Sequence, residues 1–419
     1  MTRTMLSLIG GLALLTAGVT VQPAAAQQRT LDIYVIDTEG GGLTLFVTPE
    51  GESVLIDTGN PGDRDHQRLM EVLKVAGVTK IDHLILTHYH LDHVGGLQQL
   101  AAVMPIAHFI DHGPTIEERE QVPGFQAAYA ELYSKARHTV VKPGDKLPIA
   151  GLDWTIVASA GQAIDRPLPG AGQDNAAACA ASPAKPFPAD DENAMSVGSV
   201  IAFGQFRTAH LGDLFWAKEL EFMCPVNRIG TVDLYMVSHH GLSQSGSPAL
   251  VHGLRPRVAV MQNGTRKGGG AETHQILLSS PGLEDLWQLH WSYNAQIEFN
   301  PPGLFIANVD SNETIAGILT APPPAPRGGG PGRQGGGPSA GPGGGAPAGP
   351  APGAAMGQGR QGGGAGHAGP GGAGRGGRGG MMGAAAHTPA HYIRISARED
   401  GTFTVTNSRN GFEKTYVKQ

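Results

Sequence analysis

Thr87-His88-Tyr89-His90-Leu91-Asp92-His93 places three imidazoles and a carboxylate within six residues. It directly follows a short apolar run at 81–86 that reads as a buried strand. Imidazole nitrogen and carboxylate oxygen are donors that Zn2+ accepts, and neutral histidine is its commonest ligand. The i, i+2 spacing of His88 and His90 lets two rings converge on one ion from a turn. Asp92 and His93 point elsewhere and can serve a second ion. With 17 histidines in 419 residues, chance would produce this pattern on the order of once in a thousand such chains. Metal binding is therefore the reading adopted.

Outward from this turn, the residues before it read as strand, glycine turn, strand, turn, strand, over 31–36, 43–47 and 53–56, with breakers at 40–42 and 49–51. Apolar residues at Leu69, Val72, Leu73 and Ala76 predict a helix over 65–76, with Gly77 just past its end. A second helix is predicted over 94–103. Strand-like runs recur at 154–157, 199–203, 232–237 and 258–261, with helices over 125–136 and 216–223 between them. Late strands are predicted at 297–299, 305–308 and 314–319, and a β-hairpin at 392–396 and 402–406 around the turn 399–401. Mixed strands with helices between them imply an α+β fold whose sheets carry helices on their outer faces.

The chain is organised around two segments that cannot build a core. Residues 1–26 read as a signal peptide: Arg3, an apolar run from Met5 to Val19, then Ala24, Ala25 and Ala26 before Gln27. Residues 321–388 form a Gly/Pro/Ala-rich insertion, expected to be disordered because it buries too little apolar surface to offset its ordering entropy. The body is then a folded domain over 27–320 joined by the hairpin segment 389–419, expected to be exported to the periplasm or secreted. No later apolar run approaches ~18 residues, so a spanning helix is not expected in the mature chain. Five arginines and no acids lie between Pro322 and Ala386, which leaves 24 basic against 36 acidic residues outside the two segments. So acidic a body lacks the broad positive footprint of a protein that grips nucleic acid. Cys179 and Cys224 allow one bridge in an oxidising compartment, and the sequence leaves their pairing open.

The histidine motif and its flanks resemble the metallo-β-lactamase superfamily of hydrolases. Leu55-Ile56-Asp57-Thr58-Gly59 is similar to the upstream strand end whose aspartate buttresses the metal site. Leu211-Gly212-Asp213 is similar to the strand whose aspartate bridges two metals, and Ser238-His239-His240-Gly241 to the element that brings in the last histidine. The resemblance covers roughly residues 31–308. It implies a four-layer αββα sandwich with the site at one edge between the sheets. The Gly-Asp strand end followed by His-His-Gly is most similar to the exported hydrolase domains of competence type, and Asp213 argues against antibiotic hydrolysis as the main activity. Two Zn2+ per chain are implied, with Mn2+ or iron as alternatives. His88 and His90 would hold the first ion, Asp92, His93 and one of His239 or His240 the second, and Asp213 would bridge them. Asp92 and Asp213 are the expected catalytic carboxylates, Asp92 also as a proton acceptor.

One departure matters. The segment Ala158-Ser159-Ala160-Gly161-Gln162 matches the element that elsewhere supplies another first-site histidine, and has none. His108, His112, His138 and His210 lie in the interval out of context, and His210 should face away from Asp213 if its strand is regular. Asn193 occupies the place of an Asn-rich segment in the competence-type domains and is a candidate substrate contact. Arg266 and Lys267, in a glycine-rich loop after a strand, are candidates to hold an anionic group. His274 and His290 read as polar surface or satisfied core residues. The expected substrate is a small molecule, anionic by preference, with phosphodiesters ahead of lactones. The rivals are an extracellular nuclease and a non-catalytic metal-containing binding or sensor protein. Oligomeric state is not readable.

Overall fold

The computed structural model describes residues 29–117, 122–186, 191–292, 294, 300, 303–309 and 390–418. The signal segment, the glycine-rich insertion, Tyr293 and the strands expected at 297–299 and 314–319 lie outside them. The described residues belong to one compact unit, interrupted in sequence by residues 320–383.

The first half contains β1 (Leu31–Val35), β2 (Thr44–Val47), β3 (Ser53–Ile56), α1 (Asp63–Val75), β4 (His83–Ile85), α2 (Leu91–Val94), α3 (Leu97–Val103), β5 (His108–Asp111), α4 (Val122–Tyr133) and β6 (Arg137–Val140). The second half opens with β7 (Lys146–Leu147), β8 (Asp153–Ser159), β9 (Gln162–Ala163), β10 (Gln173–Asp174), α5 (Ala176–Ala180), β11 (Gly198–Phe203) and β12 (Phe206–His210). It continues through α6 (Trp216–Met223), β13 (Val226–Asn227), β14 (Leu234–Met236), α7 (Pro248–Leu254), β15 (Val258–Met261), α8 (Ala271–Leu278), β16 (Asp285–His290) and β17 (Ile306–Asn308). The C-terminal segment adds β18 (Ile393–Ala397), β19 (Phe403–Asn407) and β20 (Glu413–Tyr416).

Two nine-stranded sheets result. One runs β20-β19-β18-β1-β2-β3-β4-β5-β6, the other β17-β16-β15-β14-β12-β11-β8-β7 with β9 on β8. Strand alternation decides the layers. Ile33 and Val35 of β1 and Val258 and Val260 of β15 share one core with Phe46, Trp154 and Ile201, so the two sheets face each other. Tyr34 and Leu45 point outward onto Leu69, Val72, Leu73 of α1 and Leu97, Leu100 of α3. On the other side, Ala259 and Met261 meet Phe222 of α6, Leu250 of α7 and Leu277 of α8. Helix, sheet, sheet, helix is the αββα sandwich implied by the resemblance.

Local sequence accounts for the elements and for the departures. Helix α1 ends as its pattern predicts: Gly77 N donates to Lys74 O and Val78 N to Leu73 O, closing the last carbonyls. The helix expected over 94–103 is two, α2 and α3, because Gly95 and Gly96 press against Pro61 and Thr58 at the break. The helix expected over 125–136 runs three residues earlier. The C-terminal hairpin carries a third strand, and β18 pairs antiparallel with β1, Ile395 opposite Ile33.

What positions the site is strand direction. Strands β3 through β6 are parallel, as are β12 and β14 through β17. Loops at the carboxyl ends of parallel strands gather ligand-binding groups. Asp57 leaves β3, His88 follows β4, Asp213 follows β12, His239 and His240 follow β14, and Lys267 follows β15.

Candidate metal centre

One carboxylate oxygen organises the cluster. Oδ2 of Asp213 lies 3.2 Å from Nε2 of His93, 3.2 Å from Nε2 of His240, 3.6 Å from Nε2 of His239 and 3.9 Å from Nε2 of His88. His93 and His240 present their Nε2 atoms to each other at 3.2 Å, and Asp92 Oδ2 stands 3.5 and 3.4 Å from them. Nε2 of His88 and Nδ1 of His90 are 3.0 Å apart.

These spacings fit a metal. Donors at ~2.0–2.2 Å from a tetrahedral zinc are about 3.4 Å from one another. Asp92, His93, Asp213 and His240 form such a set, with all four donor atoms within 4.8 Å of one another. His88 and His90 supply a second close pair beside it.

The outward nitrogens of His88, His90, His93 and His239 are held from behind, which fixes the inward ones, while Nδ1 of His240 is buried with no hydrogen-bond partner among the described residues. Nδ1 of His93 is 2.7 Å from Asp57 Oδ2, and Nδ1 of His88 is 3.0 Å from Thr87 Oγ1. Thr87 in turn donates its backbone N–H and its hydroxyl to Asp57, both at 2.7 Å. Nε2 of His90 meets Glu117 Oε1 at 3.0 Å, and Nδ1 of His239 meets Ser245 Oγ at 3.2 Å. Gly42 is required here: a Cβ on it would fall 2.5 Å from His93 Nδ1 and 2.7 Å from Asp57 Oδ2.

The sequence left a choice between His239 and His240, and the backbone brings both to the cluster. Both are left-handed, with φ of 52° and 56°. Two consecutive non-glycine residues in that region are costly and persist where the surroundings over-determine them. The turn brings both rings to Asp213. Behind it, the buried carboxylate of Glu219 accepts the N–H groups of Gly246 and Ser247 at 2.6 and 2.7 Å, anchoring the chain next to Ser245.

The electrostatics follow from burial and neighbours. Burial opposes charge on His93, yet Asp213, Asp57 and Asp92 hold its pKa well above the ordinary imidazole value. Burial would raise Asp213, but His240, His93 and His239 hold it well below the ordinary carboxylate value. Burial likewise opposes ionisation of Asp92, and His93, His240 and Lys267 reverse the effect. Burial pushes His88 well down and His239 to about 4.

The remaining candidates divide. Lys267 reaches in, its ammonium directly on Asp92 Oδ2. Arg266 stands beside it, partly buried, with its carbonyl accepting from Asn294. Asn193 is buried in the 192–195 turn, and its Oδ1 has no hydrogen-bond partner among the described residues. His112 and His138 are engaged with Glu192 and Asp111, and His108 with His83 and Thr139. His210 is a correction: it lines a water-sized cavity of about 10 Å³ together with Asp213, His93 and His240. The strand ends at His210 and turns at Gly212, φ 57°, so alternation does not carry through to Asp213. His274 and His290 are fully buried rather than surface residues. His290 joins Asp37 and Glu39, where the Arg68 guanidinium pairs with Asp37 at 2.9 Å.

Sequence reasoning missed the supports. Glu192 accepts from Tyr89 N, Ile116 N and Thr115 Oγ1, tying the histidine turn to the loop that carries Glu117. None of Glu117, Glu192, Ser245 or Glu219 sits in a motif. Of the other supports, Asp57 was legible in its strand-end motif and Thr87 lies within the histidine stretch.

Residues 37–175 match the family model described as the metallo-beta-lactamase superfamily. The ComE operon protein 3 of Bacillus subtilis (strain 168) is 25% identical over 295 residues, covering 67% of this chain and 34% of that protein. The competence protein ComA of Neisseria gonorrhoeae is 31% identical over 126 residues, covering 30% of this chain and 16% of that protein. The chain thus spans about a third or less of the length of these relatives. Among solved structures, the metallo-beta-lactamase fold protein YhfI from Bacillus subtilis aligns with a TM-score of 0.39 at 13% identity, over 62% of this chain and 96% of that one. With its histidine motif and its αββα layers, the chain is similar over residues 37–175 to the metallo-β-lactamase superfamily and, in sequence, to the competence-type proteins.

Proposed function

We propose that this chain is an exported hydrolase that uses two zinc ions against a phosphodiester or another small anionic ester. The observation that carries this reading is Asp213 Oδ2, which faces four imidazole nitrogens at 3.2–3.9 Å. A bound pair of zinc ions supplies a water of lowered pKa and positive charge for the oxyanion that develops on the substrate. The chain's own residues do the rest. His88 and His90 would hold one ion and Asp92, His93 and His240 the other, with the Asp213 carboxylate within reach of both sets. Asp57, Thr87 and Glu117 keep the rings turned so that one lone pair of each faces inward. Lys267, with Arg266 beside it, offers positive charge to an anionic substrate group, and Asn193 is the candidate polar contact.

Export is supported by the apolar N-terminal segment and by the Cys179–Cys224 disulfide, which belongs in an oxidising compartment such as the periplasm or the exterior. Among the described residues no helix is long and apolar enough to cross a membrane. A second reading, nuclease activity, rests on the competence relatives and is weakened by the acidic body.

The test is elemental analysis of the purified mature protein beside Asp213→Ala and His88→Ala, followed by a screen of phosphodiesters, lactones and single-stranded DNA. About two transition-metal ions per chain, falling in both variants, with turnover of a small phosphodiester, supports the proposal. Manganese or iron in place of zinc would change the metal but not the reading. Preferred cleavage of DNA with steep salt dependence would replace it with the nuclease. Full metal content without turnover of any of these would leave a binding or sensor protein.

A further inference from the structure

We propose that His239 is a ligand of the first ion position, taking the part of the histidine that the 158–162 segment lacks. This rests on the two-ion reading above and deepens it. The second position is complete without His239, since Asp92, His93, Asp213 and His240 already offer four donors. Among the described residues the first has His88, His90 and the shared Asp213. The 158–162 segment contributes no donor, because the Ser159 hydroxyl is spent on Val141 O at 2.7 Å. His108, His112 and His138 are each bonded elsewhere, and His210, although it lines the cavity beside Asp213, is not among the described imidazoles at 3.2–3.9 Å from Asp213 Oδ2.

Three features of His239 fit a ligand. Its Nε2 faces Asp213 Oδ2 at 3.6 Å, close to the 3.9 Å of His88 on the same oxygen. Its Nδ1 is 3.2 Å from Ser245 Oγ, and a proton on Nδ1 donated to Ser245 leaves the Nε2 lone pair directed at Asp213. Its backbone is also held at φ 52°. Aiming His240 alone needs one left-handed residue, and the second serves to bring the neighbouring ring to the same oxygen.

The test is zinc and cobalt binding to the metal-free full-length mature chain, by calorimetry and elemental analysis, for wild type, His239→Asn and His239→Gly. Both substitutes accept a left-handed backbone, and far-UV circular dichroism checks their fold. Wild type should bind two ions. The variants should keep one ion at wild-type affinity and bind the other at least about tenfold more weakly, with cobalt absorption changed only in the weaker phase. In wild-type protein, zinc addition should shift the ring ¹⁵Nε2 resonance of His239, a readout that needs no variant. Two ions at unchanged affinity in both variants, or an unmoved His239 resonance at full zinc occupancy, overturns the assignment while leaving the two-ion reading intact. Fewer than two ions in wild type removes the two-ion reading itself.

Discussion

Oδ2 of Asp57 lies 2.7 Å from Nδ1 of His93, and this contact decides which nitrogen of the ring faces Asp213. Asp57 belongs to the first sheet and Asp213 to the second, so His93 stands between carboxylates from both halves of the sandwich. The backbone at Asp57 is left-handed, φ 62°, which an asparagine also accepts.

Asp57→Asn should therefore keep the fold and lose metal. The amide cannot accept from both Thr87 and His93 as the carboxylate does, and the charge opposite His93 is gone. Loss of such a buttress costs roughly 10–100-fold in metal affinity. Chelator competition reads the affinity, and a melt of the metal-free protein reads the fold.

Lys267 occupies the carboxylate oxygen that the second ion needs, and the pair is only partly exposed. Removing the ammonium with Lys267→Met should tighten metal binding, by up to about fivefold for an ion pair worth ~1 kcal/mol. The same variant should raise KM for an anionic ester more than for a neutral one. Unchanged metal affinity would mean that Lys267 turns aside at no cost when the ion enters.

The disulfide closes a 45-residue separation between α5 and the end of α6. In the chain-entropy account that is about 4 kcal/mol of stability. Cys179→Ala with Cys224→Ala should lower the urea midpoint accordingly, and reductant should do the same to wild type but not to the double variant.

Glu219 is fully buried, and burial raises its pKa to about 7 although Ser247 and Gly246 donate to it. A carboxyl that binds its proton more tightly when folded stabilises the fold below its unfolded pKa near 4.5, and this contribution is lost as pH rises through 7. Wild type should therefore lose up to about 3 kcal/mol relative to Glu219→Gln between pH 4.5 and 8. Denaturant titrations of both proteins across that range measure the difference. A difference independent of pH would show that the two backbone donors keep Glu219 ionised throughout.

How much was legible depended on whether the physics was local. The histidine turn is a short motif after an apolar run, so residue type and spacing revealed it, and the Asp57 strand end, the Asp213 strand end and the His-His pair became legible through the resemblance that this motif opened. The stop after α1 was legible because Gly77 sits at the end of an apolar repeat. Helix α4 was misplaced because its first turn carries little periodicity, and β20 was missed because Glu413–Tyr416 shows its pattern only against β19.

The sequence by itself determined the histidine turn, the α+β class and the acidity of the body, because each follows from composition or from periodicity within a few residues, and through the resemblance it implied the later donors and the αββα layers. Only the tertiary structure decided that both His239 and His240 face Asp213, that Lys267 lies on Asp92, that His210 turns inward, and that Glu117, Ser245 and Glu219 hold the cluster from outside. Those relationships join residues up to 175 positions apart, such as Asp92 and Lys267. They are set by which strand ends the two sheets bring to one edge and by two left-handed residues in a row, neither of which leaves a periodic trace in the residues concerned.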